Sequence, residues 1–145
     1  MNKVFFDSDV LLDVILTRRP HIEHSLTALN LAARNVCRGY TSPVVLTNIN
    51  YIVNRLKGCT VAYRALRSIN GILHIAPLTE KIMRSALDAS NMKDFEDFVQ
   101  YTCAANIGCD FLVSRNADEH PEHTGAPHEA RALTPADLVR VLKGS

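Results

Sequence analysis

The stretch VFFDSDVLLDVIL, residues 4–16, changes its hydrophobic period halfway along. KVFF is an apolar run too short for a helix and reads as a strand. From Val10 to Leu16 the apolar residues return at helical spacing. A strand that passes straight into a helix opens an α/β unit, and its next parallel partner must come later in the chain. Asp7 and Asp9 fall in the turn between the two elements, and Asp13 follows on the helix. The pattern predicts a functional role for Asp7, a cap or supporting role for Asp9, and a partly exposed surface position for Asp13.

The same alternation continues. His21–Ala33 carries Ile22, Leu26, Leu29 and Ala33 on one stripe and reads as a helix. Tyr40–Thr41 is a short strand. Ser42-Pro43 then forms an N-cap with proline at the first helical position, opening a helix to about Leu56. Another helix is predicted from Val61 to Ile69, ending at Asn70-Gly71. ILHIAPL reads as a strand with His74 half-buried, and Thr79 caps a helix to Ala89. NMKD breaks the pattern before a long helix from Asp94 or Phe95 to Asn106. DFLVS and ARAL read as strands, the segment NADEHPEHTGAPHE as a loop, and TPADLVRVL as a helix capped by Thr134. Short strands alternating with helices predict a parallel sheet covered on both faces.

The 145 residues, 47% of them apolar, suffice for one domain spanning 1–145 and not for two. No run is long and apolar enough to cross a membrane, and acids interrupt the N-terminal apolar segment before it could serve as a leader. Cys37, Cys59, Cys103 and Cys109 lack CxxC spacing, which predicts reduced, mostly buried thiols and a cytoplasmic protein. The net charge of +1 conceals a partition. Positions 24–79 hold no acid at all but carry Arg34, Arg38, Arg55, Lys57, Arg64 and Arg67. The acids gather in three clusters around Asp7, Asp97 and Asp118.

In open α/β sheets, sites form beyond the carboxyl ends of the strands. Asp7 and Asp9 follow the first strand, and Asn116 and Asp118 follow FLVS. In DFEDFVQYTCAA, Asp94 and Asp97 are three apart and share a helix face, which Tyr101 and Ala104 continue; Glu96 is predicted to point away. Asp94 reads equally well as an N-cap. If these acids meet, repulsion and desolvation disfavour their full ionisation. A hard divalent cation, Mg²⁺ or Mn²⁺, relieves that and supports attack on a phosphodiester. The basic middle would hold the polyanion. Asn48, Tyr51 and Arg55 lie on one helical face, where a tyrosine suits base stacking and an arginine suits a phosphate. A packed tyrosine beside an exposed arginine is the plainer account. His120, His123 and His128 lack the geometry of a helical metal pair and read as loop histidines.

Four segments together resemble the motifs of PIN-domain ribonucleases: VFFDSDVLLD, DFEDFVQYTCA, FLVSRNADE and LTPADLVRVL. The resemblance spans nearly the whole chain and rests on the order and spacing of short motifs. It implies a three-layer α/β/α sandwich with a short central parallel sheet, and a metal-dependent endoribonuclease. Many small, single-domain members of the family are VapC-type toxins, and the resemblance thereby implies an RNA substrate, a cognate antitoxin and a homodimer. Carried over to this sequence, Asp7, Asp97 and Asp118 become the catalytic and metal-binding acids, with Asp94 an additional one. Ser8, Asp9, Asn48, Ser114 and Asn116 become supporting residues, and Tyr51, Arg55 and Arg115 candidate RNA contacts.

There are departures from the family pattern. Asn48 occupies a position where the family commonly has glutamate, Asn116 one where aspartate is common, and Glu119 replaces the usual aromatic. An amide brings no charge, so weaker metal affinity is expected. A catalytically inactive RNA- or protein-binding module of the same fold is therefore the alternative. The DSD triplet also superficially matches phosphatases with a nucleophilic aspartate, but their downstream lysine and hydroxyl motifs are not evident.

Overall fold

The computed structural model describes residues 1–89, 94–119 and 130–143. Its five strands are β1 (Lys3–Phe6), β2 (Arg38–Thr41), β3 (His74–Ile75), β4 (Phe111–Val113) and β5 (Arg131–Leu133). They form one sheet in the order β3-β2-β1-β4-β5, with every neighbouring pair parallel. The helices are α1 (Ser8–Ile15), α2 (Ile22–Ala33), α3 (Pro43–Lys57), α4 (Cys59–Ile72), α5 (Glu80–Ala89), α6 (Phe95–Asn106) and α7 (Pro135–Lys143).

β1 lies at the centre, and Val4, Phe5 and Phe6 have no exposed surface. Burial on both faces explains why this strand reads as a continuous apolar run. From β1 the chain steps to β2 and β3 on one side, then returns to β4 and β5 on the other. Right-handed crossovers place α1 to α4 on one face and α5 and α6 on the opposite one. Contacts of α1 with α2 and α3, of α3 with α4, and of α5 with α6 agree with that division. α7 follows the last strand and packs on α2. The predicted mixed α/β, PIN-like architecture is the one observed.

The capping residues act as their sequence positions require. Ser42 Oγ accepts the N–H of Val45 at 3.2 Å, Thr79 Oγ1 that of Ile82 at 3.2 Å, and Thr134 Oγ1 that of Asp137 at 3.2 Å. Gly58, at φ +91°, lets the chain pass from α3 directly into α4. Several boundaries differ from the sequence pattern, three of them with consequences. α1 begins at Ser8, so Asp9 lies in its first turn rather than before it. α4 runs through Asn70-Gly71 to Ile72, because Ile69 is buried and packing there outweighs a weak local stop signal. β3 is reduced to His74–Ile75; His74 is exposed rather than half-buried, its ring 5.4 Å from that of Tyr40.

Cys37, Cys103 and Cys109 are buried and Cys59 is exposed. Burial pushes the Cys37 and Cys103 thiols up to about 11 and the Cys109 thiol to about 12, so the three stay protonated and inert near neutral pH. Among the described residues no helix is long and apolar enough to cross a membrane.

Gly39, in the middle of β2, is required for packing. A Cβ there would lie 2.4 Å from Leu73 Cδ2 and 2.9 Å from Ala32 Cβ. Gly39→Ala should therefore destabilise the protein by about 1–3 kcal/mol, the usual cost of overpacking. Urea unfolding measures this, and an unchanged midpoint would show that α2 and α4 yield freely.

Candidate active site at the carboxyl edge of the sheet

Three strands deliver polar residues to one edge. Asp7 follows β1, Thr41 ends β2 and is followed by Ser42, and Ser114 follows β4. Thr41, Ser42 and Ser114 are buried, and Asp7 is 8% exposed. The backbone holds the edge together: Asp7 donates its N–H to Val113 O at 3.0 Å, and Ser114 donates its own to Leu133 O at 3.0 Å. Thr41 Oγ1 donates to Phe6 O at 3.0 Å, fixing β2 against the residue before Asp7. This edge includes the switch point of the strand order, between β1 and β4, where open α/β sheets commonly place their sites.

Asp7 is the N-cap of α1, and its Oδ1 accepts the N–H of Ser8 at 2.8 Å. The Ser8 hydroxyl stands 3.5 Å from the same oxygen. Asp9 bridges to the end of β4. Its Oδ2 accepts Ser114 Oγ–H at 3.1 Å and the N–H of Arg115 at 3.0 Å, while its Oδ1 accepts the N–H of Val10 at 2.7 Å. Burial, and then the negative charge of Asp7, push the Asp9 carboxyl up; the three hydrogen bonds oppose them.

Glu96 corrects the helical-face reading. It does not point away. Asn48 Nδ2 donates to Glu96 Oε1 at 2.6 Å, joining α3 to the first turn of α6. Partial burial, then Asp7, with a smaller contribution from Asp97, push its carboxyl up, while Asn48 opposes this. Solvent still reaches the side chain, which tempers the effect. Asp7, Glu96 and Asp97 thus share one electrostatic neighbourhood. A single-face rule missed Glu96 because a glutamate in the first helical turn is long enough to turn back across the helix end. Its sequence proximity to Asp97 was the available signal.

Asp94 stands at the N-cap of α6 without a capping hydrogen bond from its side chain. Below it, the buried Gln100 accepts Ser42 Oγ–H on Oε1 at 2.6 Å, so α6 is also tied to the start of α3. Asp118 is exposed on a 3-10 turn, Ala117–Glu119, after β4; Asn116 is exposed beside it and donates its N–H to Ser114 Oγ at 3.2 Å. Tyr51 is 62% exposed, with the Arg55 guanidinium 5.7 Å from its ring centre and Arg55 Nη1 donating to the phenol oxygen at 3.2 Å. The residues 120–129, which include the three loop histidines, lie outside the described residues.

One further expectation is overturned. Asp13, read as a surface residue, has no exposed area. Its partner is Arg115, read as an RNA contact, whose Nε lies 3.0 Å from Asp13 Oδ2; Ser25 Oγ donates to the same oxygen at 3.0 Å. A charge among apolar residues is buried only where an opposite charge reaches it, and here that charge comes from the far side of the sequence.

The donors at this edge are all hard oxygens, and their mutual repulsion is of the kind a divalent cation relieves. They fit Mg²⁺ or Mn²⁺ in donor chemistry. Among the described residues, however, no group of three histidines, cysteines or acids stands close enough to hold an ion. An ion here would therefore take one or two carboxylates, with water and a substrate oxygen completing its shell, as Mg²⁺ commonly does.

Fold and edge together define a parallel α/β domain with acids following its strands, and its sequence has no glycine-rich phosphate loop. The PIN-domain profile matches residues 3–118, and the chain belongs to the PIN-domain family. It is similar to Ribonuclease VapC1 of Aquifex aeolicus (strain VF5), with 27% identity over 118 residues, covering 79% of this chain and 81% of the relative. In fold it is similar to a crystal structure of VapBC2 from Rickettsia felis bound to a DNA fragment from their promoter. That match has a TM-score of 0.64 and 16% identity, and covers 91% of this chain and 98% of the other.

Proposed function

We propose that this protein is a metal-dependent endoribonuclease, the VapC-type toxin of a toxin–antitoxin pair. The observation that carries the reading is the carboxyl edge itself, where Asp7 follows β1 and Asn48 of α3 holds Glu96, the neighbour of Asp97 on α6, at 2.6 Å. Similarity to a VapC ribonuclease supplies the substrate class. Asp7 and Asp97 would hold the ion, with Asp94 and Asp118 entering its water shell. When bound, a divalent cation supplies Lewis-acid stabilisation of the charge that develops on a phosphodiester under attack.

The protein's own groups do the rest. Asn48 orients Glu96 through its amide N–H. Ser114 and Asp9 hold the chain beyond β4 against α1. Tyr51 offers an exposed ring for a base, and Arg55 beside it a cation for a phosphate. The acid-free span 24–79 leaves nothing on α3 and α4 to repel RNA. A cognate antitoxin is the second partner. An apolar groove of about 390 Å³ between α1, α2 and α4, lined by Leu11, Val14, Leu26, Val61 and Arg64, suits an amphipathic helix carrying an acid. The active form is proposed to be a cytoplasmic homodimer.

The test is cleavage of a single-stranded RNA by purified protein with Mn²⁺. Turnover should stop on chelation and in Asp7→Asn; equal cleavage by both proteins would trace the activity to a contaminating nuclease. The amides Asn48 and Asn116, at positions where the family commonly has acids, favour a second reading, an RNA-binding module without turnover. Tight RNA binding with no cleavage across Mg²⁺ and Mn²⁺ concentrations would establish it.

Asn48→Glu separates the roles of this position. A glutamate there adds a charge beside Glu96, so the metal-free variant should unfold at lower temperature. The same charge should tighten Mn²⁺ by roughly tenfold, since one additional carboxylate ligand matters to a hard cation. Calorimetry showing tighter Mn²⁺ binding in the wild type would contradict this.

A further inference from the structure

Two carboxylates of α1 hold the same distant residue. Asp9 and Asp13 are four positions apart and therefore stack on one side of the helix. Asp9 Oδ2 accepts the backbone N–H of Arg115 at 3.0 Å. Asp13 Oδ2 pairs with the Arg115 side chain, its Nε at 3.0 Å. Main chain and side chain of one residue are thus gripped by one face of α1. Ser25 of α2 steadies Asp13 from the other side at 3.0 Å. Arg115 also borders a cleft of about 190 Å³, with His21 and His24 of α2 and Thr134 and Pro135 at the start of α7.

The arrangement is a poor way to gain stability. Asp13 is wholly buried and the Arg115 side chain 28% exposed. Asp13 Oδ1 and Arg115 Nε each lack a well-aligned hydrogen bond among the described residues. Desolvation of such a pair offsets much of its Coulomb attraction, and an apolar pair of like volume often serves the fold as well. What an apolar pair lacks is direction. Arg115 is followed immediately by Asn116 and by the turn carrying Asp118. Among the described residues, Asn116 is tied back through its N–H to Ser114 Oγ, which itself donates to Asp9.

We propose that Asp9, Asp13 and Arg115 form a positioning clamp that fixes the chain leaving β4, and so sets where Asn116 and Asp118 stand relative to Asp7. Asp13 and Arg115 act through that segment and touch neither RNA nor ion. The inference rests on reading this edge as the RNA-hydrolysing site and goes beyond it in giving these two residues a role.

The test compares wild type, Asp13→Asn, Arg115→Met and the double variant Asp13→Leu/Arg115→Met. Each is measured for Mn²⁺-dependent cleavage of a single-stranded RNA and for amide hydrogen exchange over residues 110–119. The double variant fills the same space without charge, so it remains folded if a single variant does not. Misplacing catalytic groups by about an ångström costs up to ~100-fold, so kcat should fall about 10- to 100-fold in every variant, the double included, with KM within about threefold. Exchange should quicken at residues 115–118 and stay slow in β1. Recovery of kcat by the double variant would reduce the pair to packing and overturn the clamp. A rise in KM at unchanged kcat would make Arg115 an RNA contact and overturn it too. If the wild type cleaves no RNA, the site reading fails and exchange alone decides. Quickened exchange at 115–118 in the double variant then supports the clamp, and unchanged exchange rejects it.

Discussion

Asp7→Asn should lower RNA turnover by about two to three orders of magnitude without weakening the fold. The loss follows from charge: a carboxylate facing a cation contributes several kcal/mol to the transition state, and an amide contributes little of that. The fold is spared because Asn caps a helix about as well as Asp. The amide oxygen can keep the bond from the N–H of Ser8 that Asp7 Oδ1 now accepts. The metal-free variant should even match or exceed the wild type in stability at neutral pH. There Asp9 and Glu96 are both raised in part by the charge of Asp7. A raised carboxyl favours the folded state in acid and loses that contribution as pH climbs through its folded value. Removing Asp7's charge lessens the loss, and the difference should vanish below the ordinary carboxylate range, where the Asp9 and Glu96 carboxyls are both protonated. Thermal unfolding and cleavage rates on the same samples check both halves. A variant that melts early would leave the fall in rate a folding effect, and a variant that cleaves normally would remove Asp7 from the site.

Arg115→Met should be among the most destabilising single changes, costing about 3–5 kcal/mol, because it leaves the Asp13 carboxylate buried and uncompensated. Asp13 has no exposed surface from which to recover hydration. The Ser25 hydroxyl remains to it, but one neutral donor does not balance a buried charge. Adding Asp13→Leu should return most of the loss, since both charges are then gone and the volume is filled. Urea unfolding of the two single variants and the double gives the coupling energy directly. Additive effects would mean that the ion pair is not what holds these residues. Stability and turnover should therefore part company: the double variant regains the first and not the second.

Much of the architecture was legible in order of appearance. KVFF, the Ser42-Pro43 start, the Thr79 and Thr134 caps and the long helix after Asp94 all occur where the pattern put them. These signals are local, written in the period of apolar residues and in capping side chains that bond within three positions of themselves. The sequence was less informative where packing outweighs local preference. α4 continues through Asn70-Gly71 because Ile69 is buried, and β3 shrinks to two residues.

The candidate site divides in the same way. That Asp7 follows the first strand, and Ser114 the fourth, is a matter of chain order, and α/β connectivity sends both to the carboxyl edge. Residue order alone also separated an acid-free middle from three acidic clusters. Which acids meet depended on strand order. Asn48 reaches Glu96 only because α3 and α6 converge at that edge, and Ser42 reaches Gln100 for the same reason. Asp13 is the plainest case. By composition it is one charge on an apolar helix, and solvent is the default place for it. Parallel pairing of β1 with β4 brings Arg115 within 3.0 Å of it. The energy of a buried charge is set by what surrounds it, and only the folded chain brings those surroundings together.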